Sequence, residues 1–313
     1  FNSGMRCFGY FPERAVEGTL SWRYRAYPRI LPEGYRSSPY YDFRAEPGGL
    51  NGSGFFSLLL PATERELDVR LRWDMSSMPP GSRGIFSFGE GTVEKTMKVT
   101  ELGISLFTVG MVRAVENDSL GVYYLSEPEF EIRPIAEKLF PIFQYEKNFF
   151  HDPDAKFKVF LRRDPFVIST GGSACRYFFL SGYSAFGGFD PEKWFNILIH
   201  EMTHTWPYMD DSNVGEGTWF TEGATEYYCT WLPYVGGFLD DDTKDTVERA
   251  LCAGVPLWKR VPVSGEHRGT ASAGGKRQYR RYCKAVWLGQ ANASRRLEGF
   301  SSGAARSESC RSV

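Results

Sequence analysis

"HEMTHTW", His200–Trp206, carries two of the chain's four histidines, four positions apart, with Glu201 directly after the first. It reads as the end of a helix whose start is well marked. Asp190 suits the N-cap, Pro191 the first helical position and Glu192 the positive end of the helix dipole. Phe195, Leu198, Ile199, Met202 and Trp206 supply a broad apolar surface, as a helix deep in a domain requires. Pro207 disfavours a helical Trp206 and marks the stop. His200 and His204 then share one face, a turn apart. Two imidazole nitrogens so related can converge on one Zn²⁺ at about 2.0–2.1 Å. Glu201 points roughly 100° away around the helix. From there it can reach a water on the metal without being a ligand itself.

A tetrahedral catalytic site needs a third protein ligand and an open fourth position. The polar, turn-rich "MDDSNVGEG" (Met209–Gly217) reads as a loop, and "TWFTEGATEYYCTWL" (Thr218–Leu232) as a second helix stopped by Pro233. An antiparallel return brings Glu222 opposite the two histidines. Glu226, one turn on, suits an acceptor for an imidazole N–H. It also remains open as the ligand in place of Glu222, or as an ordinary solvated face. Cys229 reads as a small buried apolar residue.

Upstream, residues 1–127 have the character of a β-rich domain. "ELDVRLRWDM" (Glu66–Met75) alternates cleanly, with Leu67, Val69, Leu71, Trp73 and Met75 on one face. "GTLSWRYRAY" (18–27), "RGIFSFG" (83–89) and "ISLFTVGMVRAV" (104–115) are further strand candidates, and "FFSLLLPA" (Phe55–Ala62) reads as a buried strand. A β-sandwich is the expectation. Residues 128–251 mix helix and strand. "RPIAEKLFPIFQYEKNFF" (133–150) has helical spacing at Ile135, Leu139 and Phe143, with Pro141 expected to kink or split it. "KFKVFLRRD" (156–164) and the segment after Gly171–Gly172 read as strands. The class is therefore α+β.

Composition bounds the function. The 313 residues are 42% hydrophobic and 16% aromatic, enough for a large core. A net charge of −1 gives no reason to expect nucleic acid or an anionic membrane as partner. No apolar run approaches the roughly 20 residues of a membrane span. Cys7, Cys175, Cys229, Cys252, Cys283 and Cys310 lie far apart, against a disulfide scaffold or a cysteine-built metal site. The expected compartment is the cytoplasm rather than a secreted setting. Three Asn-x-Ser triplets, at Asn51, Asn117 and Asn292, match a pattern that recurs by chance.

"HEMTH" followed by "TWFTEGATEYY" resembles the zinc peptidases with two histidines and a distal glutamate, the gluzincins. Trp219, Phe220, Thr221, Glu222, Gly223 and Tyr227 fit the W-[LF]-[NS]-E-G-x-x-x-Y shape of the alanyl and leucyl aminopeptidase branch, although the 17 residues between His204 and Glu222 are one fewer than in that branch. The stretch from Ser57 to Gly91 is similar to the N-terminal β-domain of the glycyl aminopeptidase-like branch. The resemblance implies a thermolysin-like peptidase domain in which His200, His204 and Glu222 bind Zn²⁺ and Glu201 is the general base. It implies a peptide substrate, held on an edge strand near "GGSACRYFF" (Gly171–Phe179). That motif lacks the glutamate with which the aminopeptidase branch holds a free amine.

From Cys252 to Val313 the pattern fails. Residues 265–313 hold ten Lys and Arg against three Glu, a local +7 within a chain of net −1. Two readings stand: a disordered basic tail, or residues translated from a wrong frame or an unspliced intron, with a truncated catalytic domain before them. Neither Tyr279 nor Tyr282 suits the oxyanion-stabilising role that relatives give a downstream tyrosine. The expected function is a zinc-dependent, aminopeptidase-like peptidase. The alternative is a crippled relative that keeps its metal site and acts as a non-catalytic binding module.

Overall fold

The computed structural model describes residues 17–30, 41–164, 171–184, 190–207 and 218–239, with the backbone alone at 171–174 and 218–220. The loop expected at Met209–Gly217, the tail from Cys252, Cys7, Cys252, Cys283, Cys310, His267, Tyr279, Tyr282 and the Asn292 triplet lie outside the described residues.

Four layers stack on one another. The outermost is a two-stranded ribbon, β3 (Glu66–Leu71) antiparallel to β6 (Val93–Lys98). Beneath it lies a five-stranded antiparallel sheet ordered β1 (Arg44–Glu46), β2 (Gly49–Ser53), β7 (Leu106–Gly110), β4 (Arg83–Phe86), β5 (Gly89–Glu90). The third layer is a mixed sheet ordered β11 (Gly171–Cys175), β12 (Phe178–Ser184), β10 (Phe157–Asp164), β9 (Leu120–Tyr124), β8 (Arg113–Glu116). Helices α3 (Ile132–Phe149), α4 (Pro191–Thr203) and α5 (Thr218–Val235) form the fourth. Short helices α1 (Gly54–Ser57) and α2 (Val99–Ile104) sit within the first half.

Alternation along the strands explains the stacking. Phe86 faces Met97, Val93 and Leu102 under the ribbon, with Phe107 packed against them. The neighbouring Ile85 and Leu106 face Tyr123, Phe160, Phe178 and Leu180 of the third layer. Val122, Val159, Leu161 and Phe179 project the other way, onto Ile135, Leu139, Phe143, Trp194, Leu198 and Met202 of the helices. The central strands β9, β10 and β12 run parallel and are covered on both faces, so β9 and β12 are buried at every position.

Several expectations shift. The boundary drawn at residue 127 falls inside a sheet: β8 and β9 precede it, yet β9 pairs with β10. Local alternation marks a strand but not its partner. "FFSLLLPA" opens as the single turn α1, with Phe55 and Phe56 39% and 41% exposed, rather than as a buried strand. Gly54 packs so closely on α2 that a Cβ there would lie 2.0 Å from the Leu102 carbonyl oxygen, and the chain turns at that contact. "GTLSWRYRAY" forms no strand, and its Leu20, Trp22, Tyr24 and Tyr27 are exposed. Pro141 does not split α3, which runs unbroken for 18 residues with the proline on its exposed side. Pro233 does not stop α5, which continues to Val235. Asn51 is buried within β2 and donates to Glu46, which removes it as a glycosylation acceptor. Among the described residues no helix is long and apolar enough to cross a membrane.

Candidate metal centre

Helix α4 begins as the residues around Asp190 require. The Asp190 carboxylate accepts from the Glu192 and Lys193 amides at 3.1 Å each, and Pro191 follows it. Trp194, wholly buried, donates its indole N–H to Ser181 on β12 at 2.8 Å. Leu198, Ile199 and Met202 are buried on the same core. The helix is thereby fixed in rotation, and His200 and His204 are turned toward α5. Thr203 fixes its other flank, bonding to Glu146 of α3.

The two imidazoles meet edge to face, with Nε2 of His200 and Nε2 of His204 3.0 Å apart. Glu222 Oε2 lies 3.5 Å from the first nitrogen and 3.6 Å from the second. A tetrahedral zinc ion with bonds of about 2.0–2.1 Å has ligand atoms roughly 3.3–3.4 Å apart. All three observed separations fall near that edge length. The donor set of two imidazoles and a carboxylate is one that zinc accepts, and it leaves the fourth corner to solvent.

The outer ring nitrogens are held too. Nδ1 of His204 is 3.1 Å from the hydroxyl of the buried Thr225, and Nδ1 of His200 is 3.2 Å from Glu226 Oε1. In a neutral ring such partners favour the tautomer with its lone pair inward on Nε2. Glu226 therefore engages the other ring nitrogen of His200 from Glu222, and its charge also reaches His204. Cys229 also closes on this side, its Sγ 4.0 Å from His200 Nδ1 and bonded to the Glu226 carbonyl at 3.4 Å. It packs against the core as a small apolar residue does, but its sulfur is turned to the site. Beside the histidines, Thr225 is a residue that the sequence did not single out, and Cys229 is one expected only as apolar packing. The signal was spacing: they follow Glu222 by three and seven positions, one stripe of α5.

Electrostatics divide the histidines. Burial opposes charging of His200, but contacts with Cys229 and Glu226 and the charge of Glu201 outweigh it and push the ring up to about 11. Burial and the repulsion of His200 press His204 down to about 4. Two imidazoles this close cannot both be charged, and the proton rests on the ring with carboxylate support. Glu201 lies half-buried beside them. Burial raises its carboxyl to about 7, with His200 opposing and Glu222 and Glu226 adding to the rise. No hydrogen bond holds that carboxylate among the described residues. Strand β11, at the edge of the third layer, packs against α4, and the charge of Glu201 reaches Cys175 at its end.

Among solved structures, an aminopeptidase N family protein from Idiomarina loihiensis matches with a TM-score of 0.52 at 15% identity, over 70% of this chain and 42% of that one. Yeast LTA4 hydrolase bound to bestatin matches with a TM-score of 0.41 at 12% identity, over 66% of this chain and 33% of that one. The first likeness is one of fold, and the chain spans less than half the length of either structure. No family model and no curated protein matches the sequence.

Proposed function

We propose that the chain is a zinc-dependent peptidase of the gluzincin type, aminopeptidase-like and nearest in kind to the glycyl aminopeptidase-like branch. His200, His204 and Glu222 hold the ion through Nε2, Nε2 and Oε2. The observation that carries this reading is the near-tetrahedral spacing of those three atoms, with both outer ring nitrogens already engaged. The shared fold with an aminopeptidase N family protein supports it.

Bound there, zinc supplies a Lewis acid that polarises a peptide carbonyl and lowers the pKa of water to about 7. The residues of the chain do the rest. Glu201, one position from His200 and not among the three donors, accepts the proton of the attacking water and returns it to the departing amine. Glu226 and Thr225 keep the imidazoles in the tautomer that binds. The substrate is a peptide lying extended along β11, the outer strand of its sheet, whose backbone groups pair with it as a further strand.

The test uses Glu201→Gln. The variant is expected to bind zinc as the wild type does, measured by atomic emission, while its turnover of a peptide library falls by about 10²–10⁴-fold. A variant that cleaves as well as the wild type overturns the peptidase reading. Wild-type protein that binds one zinc and cleaves no library member would instead identify the metal-bearing, non-catalytic relative.

A further inference from the structure

His200 has two nitrogens, and only one of them faces the donor set described above. Its Nδ1 faces Glu226 Oε1 at 3.2 Å and Cys229 Sγ at 4.0 Å, and the three atoms all lie within 4.8 Å of one another. Cys229 follows Glu226 by three positions on α5, so the carboxylate and the sulfur project from one face of a single helix onto one side of one ring. We propose that His200 Nδ1, Glu226 and Cys229 form a second metal site, containing a thiolate and selective for soft divalent cations. It shares a ring with the proposed zinc site and does not depend on that site being filled.

Two edges of the set, from His200 Nδ1 to the oxygen and to the sulfur, can be compared with what such an ion needs. Around a tetrahedral cation with bonds of about 2.0–2.1 Å to nitrogen or oxygen and 2.3 Å to sulfur, the N–O edge is roughly 3.3 Å and the N–S edge roughly 3.6 Å. The first is met as it stands. The second requires the sulfur to move in by a few tenths of an ångström. At present the thiol spends its proton on a long bond to the Glu226 carbonyl, a weak interaction to give up. Sulfur changes the selectivity. An imidazole and carboxylate set suits zinc, whereas a thiolate adds affinity for softer ions. Binding releases the Cys229 proton to solvent, and no electrons move. The shared ring makes the two sites compete, because a neutral imidazole offers one lone pair at a time. Both can fill only if His200 also loses its ring proton and bridges the ions as imidazolate. A soft ion on Nδ1 therefore weakens the hold on zinc at Nε2 and displaces the Glu226 contact that supports it.

Cadmium titration of the full chain, followed by the ultraviolet thiolate-to-metal charge-transfer band, tests this. The wild type is expected to develop a saturable band, and Cys229→Ser to lose it while other cysteines leave only a residual, weaker signal. Glu226→Ala should weaken the Cys229-dependent component by roughly tenfold or more. His204→Ala and Glu222→Ala, which remove the proposed zinc set and leave the thiol untouched, should keep the band and tighten it as competition for the ring disappears. A band unchanged in Cys229→Ser overturns the proposal. So does a band lost in His204→Ala, since the sulfur would then serve the same ion as His204. If Cys229→Ser fails to fold, a band that Glu226→Ala leaves at full affinity, or one that His204→Ala removes, still overturns the proposal. Failure of the zinc reading appears separately, as zinc affinity unaffected by those two variants.

Discussion

Two polar clusters in this protein are built on opposite principles. Between the second and third layers, Asp42, Arg44, Arg162 and Asp164 are buried, with Arg162 only 1% exposed. Arg162 Nη1 bonds Asp42 Oδ1 at 2.9 Å, Arg44 Nε bonds Asp42 Oδ2 at 2.9 Å, and Arg44 closes on Asp164. Two cations answer two anions, and the group ties the start of the chain's first sheet to β10. Around His200 the groups are not balanced in this way. Two imidazoles face each other across 3.0 Å, and three carboxylates (Glu201, Glu222 and Glu226) influence them. Glu222 is 53% exposed on its side chain. A closed set of charges holds structure together. The set around His200 is open to solvent through Glu222, and its imidazoles and carboxylate are donors of the kind that zinc accepts.

Matched deletions break the comparison most sharply. Asp42→Ala strands a buried guanidinium and is expected to cost about 3–5 kcal/mol of stability, read as a lowered urea midpoint. Glu222→Ala, on an exposed side chain, is expected to change metal-free stability by no more than about 0.5 kcal/mol. It should nevertheless abolish tight zinc binding, measured by competition with a chromogenic chelator. If Glu222→Ala unfolds the protein as Asp42→Ala does, the centre on α4 and α5 is structural and the contrast fails.

A smaller effect sharpens the same contrast. Glu226 contacts the outer nitrogen of His200, so Glu226→Ala should weaken zinc about 10–100-fold without abolishing binding. Thr225→Val, which removes the hydroxyl beside His204 Nδ1, should fall at the low end of that range. Complete loss of zinc in Glu226→Ala, with Glu222→Ala still binding, would exchange the roles of the two carboxylates.

Much of the centre could be read along the chain because it is local. Asp190, Pro191 and the i, i+4 histidines lie within one helix, and each local rule points the same way. Glu222 needed only a short return to a second helix. What escaped the sequence was non-local. Nothing in "LGVYY" says that β9 pairs with β10 across the 18 residues of α3, and nothing in "FFSLLL" says that Gly54 must tuck under the Leu102 carbonyl. Pro233 is a misleading stop signal. It is buried near the end of α5, and the turn after it is closed by Gly236 N–H to Leu232 C=O and Phe238 N–H to Pro233 C=O. The four-charge cluster was equally hidden, because its members lie 120 residues apart.

The smallest expected effect concerns Glu146, a buried carboxyl that belongs to neither cluster. Thr203 has one hydroxyl proton and two neighbouring acceptors, Glu146 Oε1 at 2.7 Å and the Ile199 carbonyl at 2.8 Å. A protonated Glu146 resolves the conflict, donating to Thr203 while Thr203 donates to Ile199. Burial drives the same way, lifting the carboxyl to about 8 from its ordinary 4.5, with the Thr203 bond opposing. The folded chain thus keeps a proton that the unfolded chain releases near pH 4.5. Stability from this group is complete below about pH 4.5 and is lost progressively as pH rises to about 8, the direction opposite to a salt-bridged carboxylate. Glu146→Gln keeps the shape and a donor but carries no charge. Denaturation midpoints at pH 5 and pH 9 should differ less in this variant than in the wild type, and the variant should be the more stable of the two at pH 9. An undiminished pH dependence would mean that Glu146 is charged in the folded protein. Its neighbourhood would then resemble the four-charge cluster, with a compensating cation, more than an isolated acid.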